Sequence, residues 1–539
     1  MLFLLSGTAS AISINNEIEF LKIGTDPAYP LTGNYELTNN LNFTGMTFVP
    51  IGSGTSPFTG TFDGQRYEIT GIDYSIGSGS NYGIFRNLNN SEIKNLTIDS
   101  SKFSISGSNG HSVGILAGQM SNGSVITNIT ITNCSVDSVG DHVGMLAGRA
   151  DNSTISNIAV EFGSGSTNCI VSGNSRVGGL VGLVSNSTIK DAYVEAYLLT
   201  AMGDKVGGLV SDVNNSTIQS CFYIGNITGG TNAGGFVGDV NNSVIQSGFF
   251  VGNITGTDRV GGFAGRIERS SISQCFSIVD SPLTGNNMVG GFVGVIRDSL
   301  GTETSSIENS FSMGAITGAS DVGSFVGRVN QNVTLQITSS YAFCFDDSSS
   351  QFDLLFINYV LPGPFVAVIT VDDSFNLYDT AFGSLTYGIP IDENQFIDID
   401  TFKSIGGLIA TDWDITASST SNSIWYADGA LPPQLRFEKV DNGNGRNNEG
   451  SNVSNGRGFG HAYIVHPNDS SAPTLNSSSE PEIIQNIPDT PIISNNNIQN
   501  ENSNNPETSG FNWRLSLLLL IGIVIVVCSV FYILNKNRS

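Results

Sequence analysis

The sequence predicts an all-β fold: a right-handed parallel β-helix of about ten coils, followed by one C-terminal transmembrane helix. Three observations predict it. A glycine-rich phrase recurs nine times at near-constant spacing. Each copy is followed by a turn of Asn, Ser or Thr and then by a period-two apolar run, the strand signature. Residues Leu515–Leu534 form 20 positions without a charge, long enough at ~1.5 Å per residue to cross a bilayer core.

The phrase reads VGILAG at Val113–Gly118, VGGLVG at Val177–Gly182, AGGFVG at Ala233–Gly238 and VGGFVG at Val289–Gly294. Looser copies are Tyr82–Asn87 and Val322–Gly327. First glycines fall at Gly83, Gly114, Gly144, Gly178, Gly207, Gly234, Gly261, Gly290 and Gly323, with spacings of 27 to 34 residues. A unit this small cannot bury its apolar face alone, whereas stacked units share one core. Each repeat reads as about three short strands, and the run after the turn puts Ile218, Ser220, Phe222 and Ile224 on one face. The glycines are expected to make room for stacked Leu and Phe in a narrow core. Two residues after each run's isoleucine stand Asn95, Asn128, Asn157, Asp191, Ser220, Ser247, Gln274 and Asn309. This column is expected to be a buried polar ladder hydrogen-bonded from coil to coil.

The remaining segments follow in order. Residues 1–11 read as a signal peptide ending in Ala9-Ser10-Ala11. Residues 12–81 form a lead-in with the first coils, 82–339 the repeats, and 340–438 degenerate coils with a terminal cap. Residues 439–512, rich in Asn, Ser, Pro and Glu, read as a disordered stalk. The membrane helix is placed at 513–534, with Trp513 and Tyr532 at its ends, and residues 535–539 form a cytoplasmic tail carrying Lys536 and Arg538. The expected location is the plasma membrane with the repeats outside the cell.

These phrases resemble the GLUG motif, named for its glycine and apolar pattern. Phe58-Thr59-Gly60-Thr61-Phe62-Asp63-Gly64 followed by Ile69-Thr70-Gly71-Ile72 is similar to the lead-in of proteins that carry it. Asp412-Trp413-Asp414, Trp425 and Gly429–Leu435 are similar to their terminal segment. The resemblance covers roughly residues 20–437. It implies a surface adhesin-like protein, or a neighbour of the catalytic domain of immunoglobulin A-specific metalloendopeptidases.

The residues argue against the second reading. Zinc proteases of that kind need H-E-x-x-H on a helix. This chain holds only His111, His142, His461 and His466, none followed by Glu. Asp441–Gly445 resembles a calcium loop with Gly443 at a required ligand position, so no metal or cofactor is expected. Candidate carboxylate groups for polysaccharide cleavage are Asp191 with Glu195, Asp204 with Lys205 and Asp258 with Arg259. They read as solvated turn charges, and no catalytic residue is assigned. A formal charge of −25 with 13% charged residues disfavours nucleic acid as a partner.

Five cysteines precede the membrane segment: Cys134, Cys169, Cys221, Cys275 and Cys344. Cys221 and Cys275 occupy equivalent sites two coils apart, ~9.6 Å by strand spacing, beyond the ~7 Å reach of a bridge. Asn-x-Ser/Thr sequons are dense. The glycosylation candidates are Asn42, Asn89, Asn122, Asn152, Asn186, Asn214, Asn226, Asn241, Asn253, Asn332, Asn452, Asn468 and Asn476. Asn95 and Asn128 are sequons on the polar column and are expected to stay unmodified. The functional expectation is a non-catalytic surface adhesin or coat protein, meeting an extracellular protein or glycan. The alternative is a carbohydrate-active β-helix enzyme acting on extracellular polysaccharide.

Overall fold

The computed structural model describes residues 10–77, 81–107, 112–161, 169–299, 301 and 304–346. It also describes short strand stretches at 357–360, 368–372, 375–377, 389–391, 415–416, 425–426 and 434–435. The signal segment as far as Ala9, the stalk and Leu515–Leu534 lie outside the described residues. Among the described residues no helix is long and apolar enough to cross a membrane.

The coils form a right-handed parallel β-helix, as the spacing predicts. Three sheets run along it, and every pairing in them is parallel. Sheet A has 26 strands, sheet B ten and sheet C eight. Isoleucine fixes the register of sheet A. Ile93, Ile126, Ile155, Ile189, Ile218, Ile245, Ile272, Ile307 and Ile337 pair one to the next. All are at most 1% exposed. A one-residue slip would turn this whole ladder to solvent.

The glycine phrase forms a corner between two strands. In the fourth repeat Arg176–Gly178 lies in sheet C and Val181–Ser185 in sheet B. A methyl group on Gly235 would collide with the Gly262 carbonyl oxygen and with the Phe250 ring. The expectation about core space therefore holds for the second glycine, which also faces the backbone of the next coil. Core size is shared between this position and one on sheet A. Where sheet A carries Ile98, Ile131 and Val160, the corner carries Ile84, Ile115 and Met145. Where it carries Tyr223 and Phe250, the corner carries Gly208 and Gly235. Leu180 and Leu209 fill the next position, then Phe236, Phe263, Phe292 and Phe325, whose rings stack at 4.8 Å.

The period-two reading of the run after the turn is corrected. Ile218, Cys221 and Tyr223 point inward, whereas Phe222 and Ile224 point out. The phase flips at Ser220, whose φ is +53°. Every residue of the polar column has the same left-handed backbone: Asn95 +54°, Asn128 +56°, Asn157 +55°, Asp191 +55°, Ser247 +53°, Gln274 +54° and Asn309 +48°. The column is thus a second corner. Asn, Asp, Ser and Gln recur there because their side chains tolerate or bond such a backbone. The ladder bonds exist. Asn95 donates to Asp63 at 3.0 Å, Asn128 to Asn95 at 3.0 Å and Asn157 to Asn128 at 3.1 Å. They lie half-buried on the outside rather than in the core.

The lead-in already belongs to the β-helix, since Tyr35 pairs with Ile12 and Phe62. A short helix, Glu17–Phe20, closes its N-terminal end. Asn16 caps it by accepting from the Glu19 amide, and Glu19 accepts in return from the Asn15 amide at 2.8 Å. The helix drives Phe20 onto Phe43 and Phe62.

Candidate functional site

Chemistry along the coils is concentrated where sheet C turns into sheet B. In the glycine phrases from Val143 to Gly265 the residue just before the phrase and the residue just after its sixth position both point outward. The third glycine leaves no room between them. A methyl group on Gly238 would lie 2.6 Å from the Ser211 carbonyl oxygen. The two outward columns therefore meet side chain to side chain over a glycine floor. One column holds His142, Arg176, Lys205 and Asn232. The other holds Arg149, Leu183, Asp212, Asp239 and Arg266.

Lys205 sits at the centre. Its Nζ lies 2.7 Å from Asp212 and 2.8 Å from Asp239. Arg176 Nε donates to Asp212 at 3.0 Å, and Arg266 Nε to Asp239 at 2.7 Å. The Asp239 side chain is 1% exposed and that of Asp212 8%. Burial pushes the Asp212 pKa up, but Lys205 and Arg176 outweigh it and hold the carboxyl below its ordinary value. One coil further on, Glu268 accepts from Arg297 Nε and the Ser299 amide, both at 3.0 Å. Beside the network, burial and the cations Arg176 and Arg149 depress His142 to about 4.

Glycoside cleavage needs a carboxyl kept protonated as general acid and a second carboxylate free to attack or to activate water. Asp212 is instead held below its ordinary pKa, and both Asp212 and Asp239 are bound from several sides by lysine and arginine. What this arrangement can do is tie neighbouring coils together.

The sequence-predicted groups are not assembled as pairs. Asp191 lies 3.5 Å from Lys190, on the corner column, and Glu195 lies elsewhere along the strand, buried at 7%. Lys205 turns from Asp204 to Asp212 and Asp239. Asp258 accepts from Asn287 at 2.7 Å, while Arg259 donates to Asn232 at 3.0 Å. Of these six residues only Lys205 belongs to the network, and for it the reading as a solvated turn charge is corrected, whereas Asp204 is exposed. A signal was available: aligning repeats on the glycine phrase puts Asp212, Asp239 and Arg266 directly after it, and Arg176 and Lys205 directly before it.

Among the glycosylation candidates, Asn42, Asn122, Asn152 and Asn186 are exposed. Asn89, Asn214, Asn226, Asn241, Asn253 and Asn332 are half-buried. The amide nitrogen that a glycan would take is engaged in three of them: Asn122 donates to Asn89 at 3.0 Å, Asn214 to Asp212 at 3.1 Å and Asn253 to Asn226 at 2.9 Å. Asn452, Asn468 and Asn476, together with His111, His461, His466 and Asp441–Gly445, lie outside the described residues. Among the described residues no group of three His, Cys, Asp or Glu side chains is placed to hold a metal. Cys134, Cys169, Cys221, Cys275 and Cys344 are free and buried. Gly248 stands between Cys221 and Cys275, as the two-coil separation requires.

Residues 173–196 match the family model of the GLUG motif. They run from sheet C through the glycine corner and sheet B into the first half of the long strand Thr188–Ala201, most of one coil. A solved structure from Bacteroides ovatus, provisionally described as an immunoglobulin A1 protease, is similar at 16% identity. The match covers 68% of this chain and 85% of that one with a TM-score of 0.27, too low to carry an argument. No curated protein matches the chain.

Proposed function

Starting from a GLUG-motif repeat protein folded as a parallel β-helix, we propose that the chain is a non-catalytic surface protein, an adhesin or coat component. In this reading its coils are displayed outside the plasma membrane on the 439–512 stalk, anchored by Leu515–Leu534, and its partner is an extracellular protein or glycan. The observation that carries it is the state of the Lys205 network. This charged cluster of the described residues is occupied by coil-to-coil bonds, which suits a scaffold whose outer surface is the working part.

The test is attachment. Cells displaying the full chain are expected to bind matrix or neighbouring cells, and an in-frame deletion of residues 82–339 to abolish binding while the protein still reaches the surface. Unchanged attachment would reject adhesion. Turnover of any member of a polysaccharide panel by the full chain, lost in Asp239→Asn, would replace this reading with the enzymatic one.

A further inference from the structure

Sheet A has a second apolar face, on the outside. Strand alternation sets Tyr223 and Phe250 inward, so Phe222, Ile224, Phe249 and Val251 point away from the core. Six outward rings form one column: Tyr193, Phe222, Phe249, Phe276, Phe311 and Tyr341. Neighbouring centroids are 4.7–4.9 Å apart and the planes within 8° of parallel. Beside it runs an aliphatic column, Ile224, Val251, Ile278 and Met313.

Tyr193, Phe222 and Ile224 are half-buried, but from Phe249 onward this face is not open to water. Val251 is 2% exposed, Ile278 and Met313 3%, Phe249 5% and Phe276 8%. None of the five belongs to the hydrophobic core cluster inside the coils. Stacking covers ring faces but not ring edges, and it leaves the outer side of an aliphatic column bare. Exposures this low therefore require something laid over the columns.

We infer that the cover is the chain's own terminal sheet, formed by Ile415–Thr416, Trp425–Tyr426 and Gln434–Leu435. Three observations select it. All other described strands belong to sheets A, B and C, whereas these three pair only with one another. The compact unit that holds the coils extends to Asn452 and so includes them. Strands of two residues do not persist in water without a surface to pack on, and Ile415, Trp425, Tyr426 and Leu435 are apolar or amphipathic. The chain also reaches. From Ile389, which ends the sheet A pairing, five coil rises of ~4.8 Å bring it back to Phe249. The link from Ile391 to Ile415 can span roughly 80 Å when extended. The aromatic and aliphatic columns are then an intramolecular docking face, independent of what the outer surface binds.

The test uses the full chain with Val251→Cys, labelled with a maleimide against the parent as background. Labelling is expected at the background rate. Adding Trp425→Ala and Leu435→Ala is expected to raise it at least tenfold with the far-ultraviolet circular dichroism unchanged. Fast labelling of Val251→Cys alone, or protection that survives both alanines, overturns the assignment. Protection that falls on dilution also overturns it, in favour of a second copy as the cover. Should the alanine variants lose their β signal, a photo-crosslinking residue at Phe222 decides in the otherwise native chain. A crosslink within residues 415–435 supports the assignment, and one to any other peptide overturns it.

Discussion

At Ser220 a single backbone angle decides which side chains are core. Its φ of +53° rotates the strand so that Cys221, rather than Phe222, follows Ile218 into the interior. An L-residue pays roughly 1–2 kcal/mol for that region, and a branched Cβ makes it worse. Ser220→Val is expected to destabilise by about that amount, and Ser220→Asn to leave the urea midpoint unchanged, because Asn already holds the site in four coils at Asn95, Asn128, Asn157 and Asn309. The sequence shows a polar residue at this position in every coil but not its conformation, since a buried ladder asks for the same residue types. The apolar spacing was the legible sign: Ile218, Cys221 and Tyr223 stand three and then two apart, which no straight strand allows. Gly235 makes the complementary case. Gly235→Ala forces a methyl group into the Gly262 carbonyl and the Phe250 ring, so a loss of about 3 kcal/mol is expected by overpacking, read as a lowered urea midpoint. His142 adds a pH dependence. Its folded pKa of about 4 lies below the ordinary 6.5, so between those values the unfolded chain takes up a proton that the folded chain refuses. Stability is expected to fall as pH drops from about 6.5 to about 4, and His142→Asn to remove that part of the slope in a melting-temperature series.

Strands in sheets B and C hold partners that sequence adjacency conceals. Asp204 and Lys205 are neighbours in the chain, yet Lys205 reaches over the glycine floor to Asp212 and on to Asp239 in the next coil. Successive outward positions of stacked strands lie closer than successive residues of one strand can place their side chains, so coil-to-coil pairing wins. Asp239→Ala leaves the Lys205 and Arg266 charges facing each other with little solvent. A loss of about 3–5 kcal/mol is expected, as for other broken buried pairs, measured by urea unfolding. Asp212 supplies the acid limb. Its pKa is held below the ordinary 3.8, so its contribution is complete above that value and is lost as pH falls through the depressed one. The network was readable in principle, because the repeat phrase indexes each position. What hid it was the corner. Taken as one strand, VGGFVG puts its flanking residues on opposite ends of a rod rather than face to face.

Across the whole β-helix, the coil count and the parallel stacking were legible because each 27–34-residue repeat returns to the same register. The helix Glu17–Phe20 was not, since four residues carry no helical period and only the Asn16–Glu19 capping pair marks it. The outer face of sheet A was hidden for another reason: apolar residues on both sides of a strand look like ordinary burial until the corner at Ser220 separates inside from outside. Stacking of this kind makes each coil depend on its two neighbours and on little else. Removing one whole coil should then be tolerated where removing part of one is not. Deleting residues 234–260 joins Ala233 to Gly261, positions that the pairing of Ala233 with Val260 makes equivalent. Phe276 then falls on Phe222, Ile272 on Ile218 and Arg266 opposite Asp212, so the ring stack, the isoleucine ladder and the charge pairing are all restored. The expected outcome is a cooperatively folded chain with near-parental β signal and a lowered urea midpoint. Deleting residues 234–247 instead joins a corner to the middle of a strand and is expected to abolish cooperative unfolding, because every residue after the junction would face the wrong side. Equal damage from the two deletions would mean that the coils are coupled over distances longer than nearest-neighbour stacking provides.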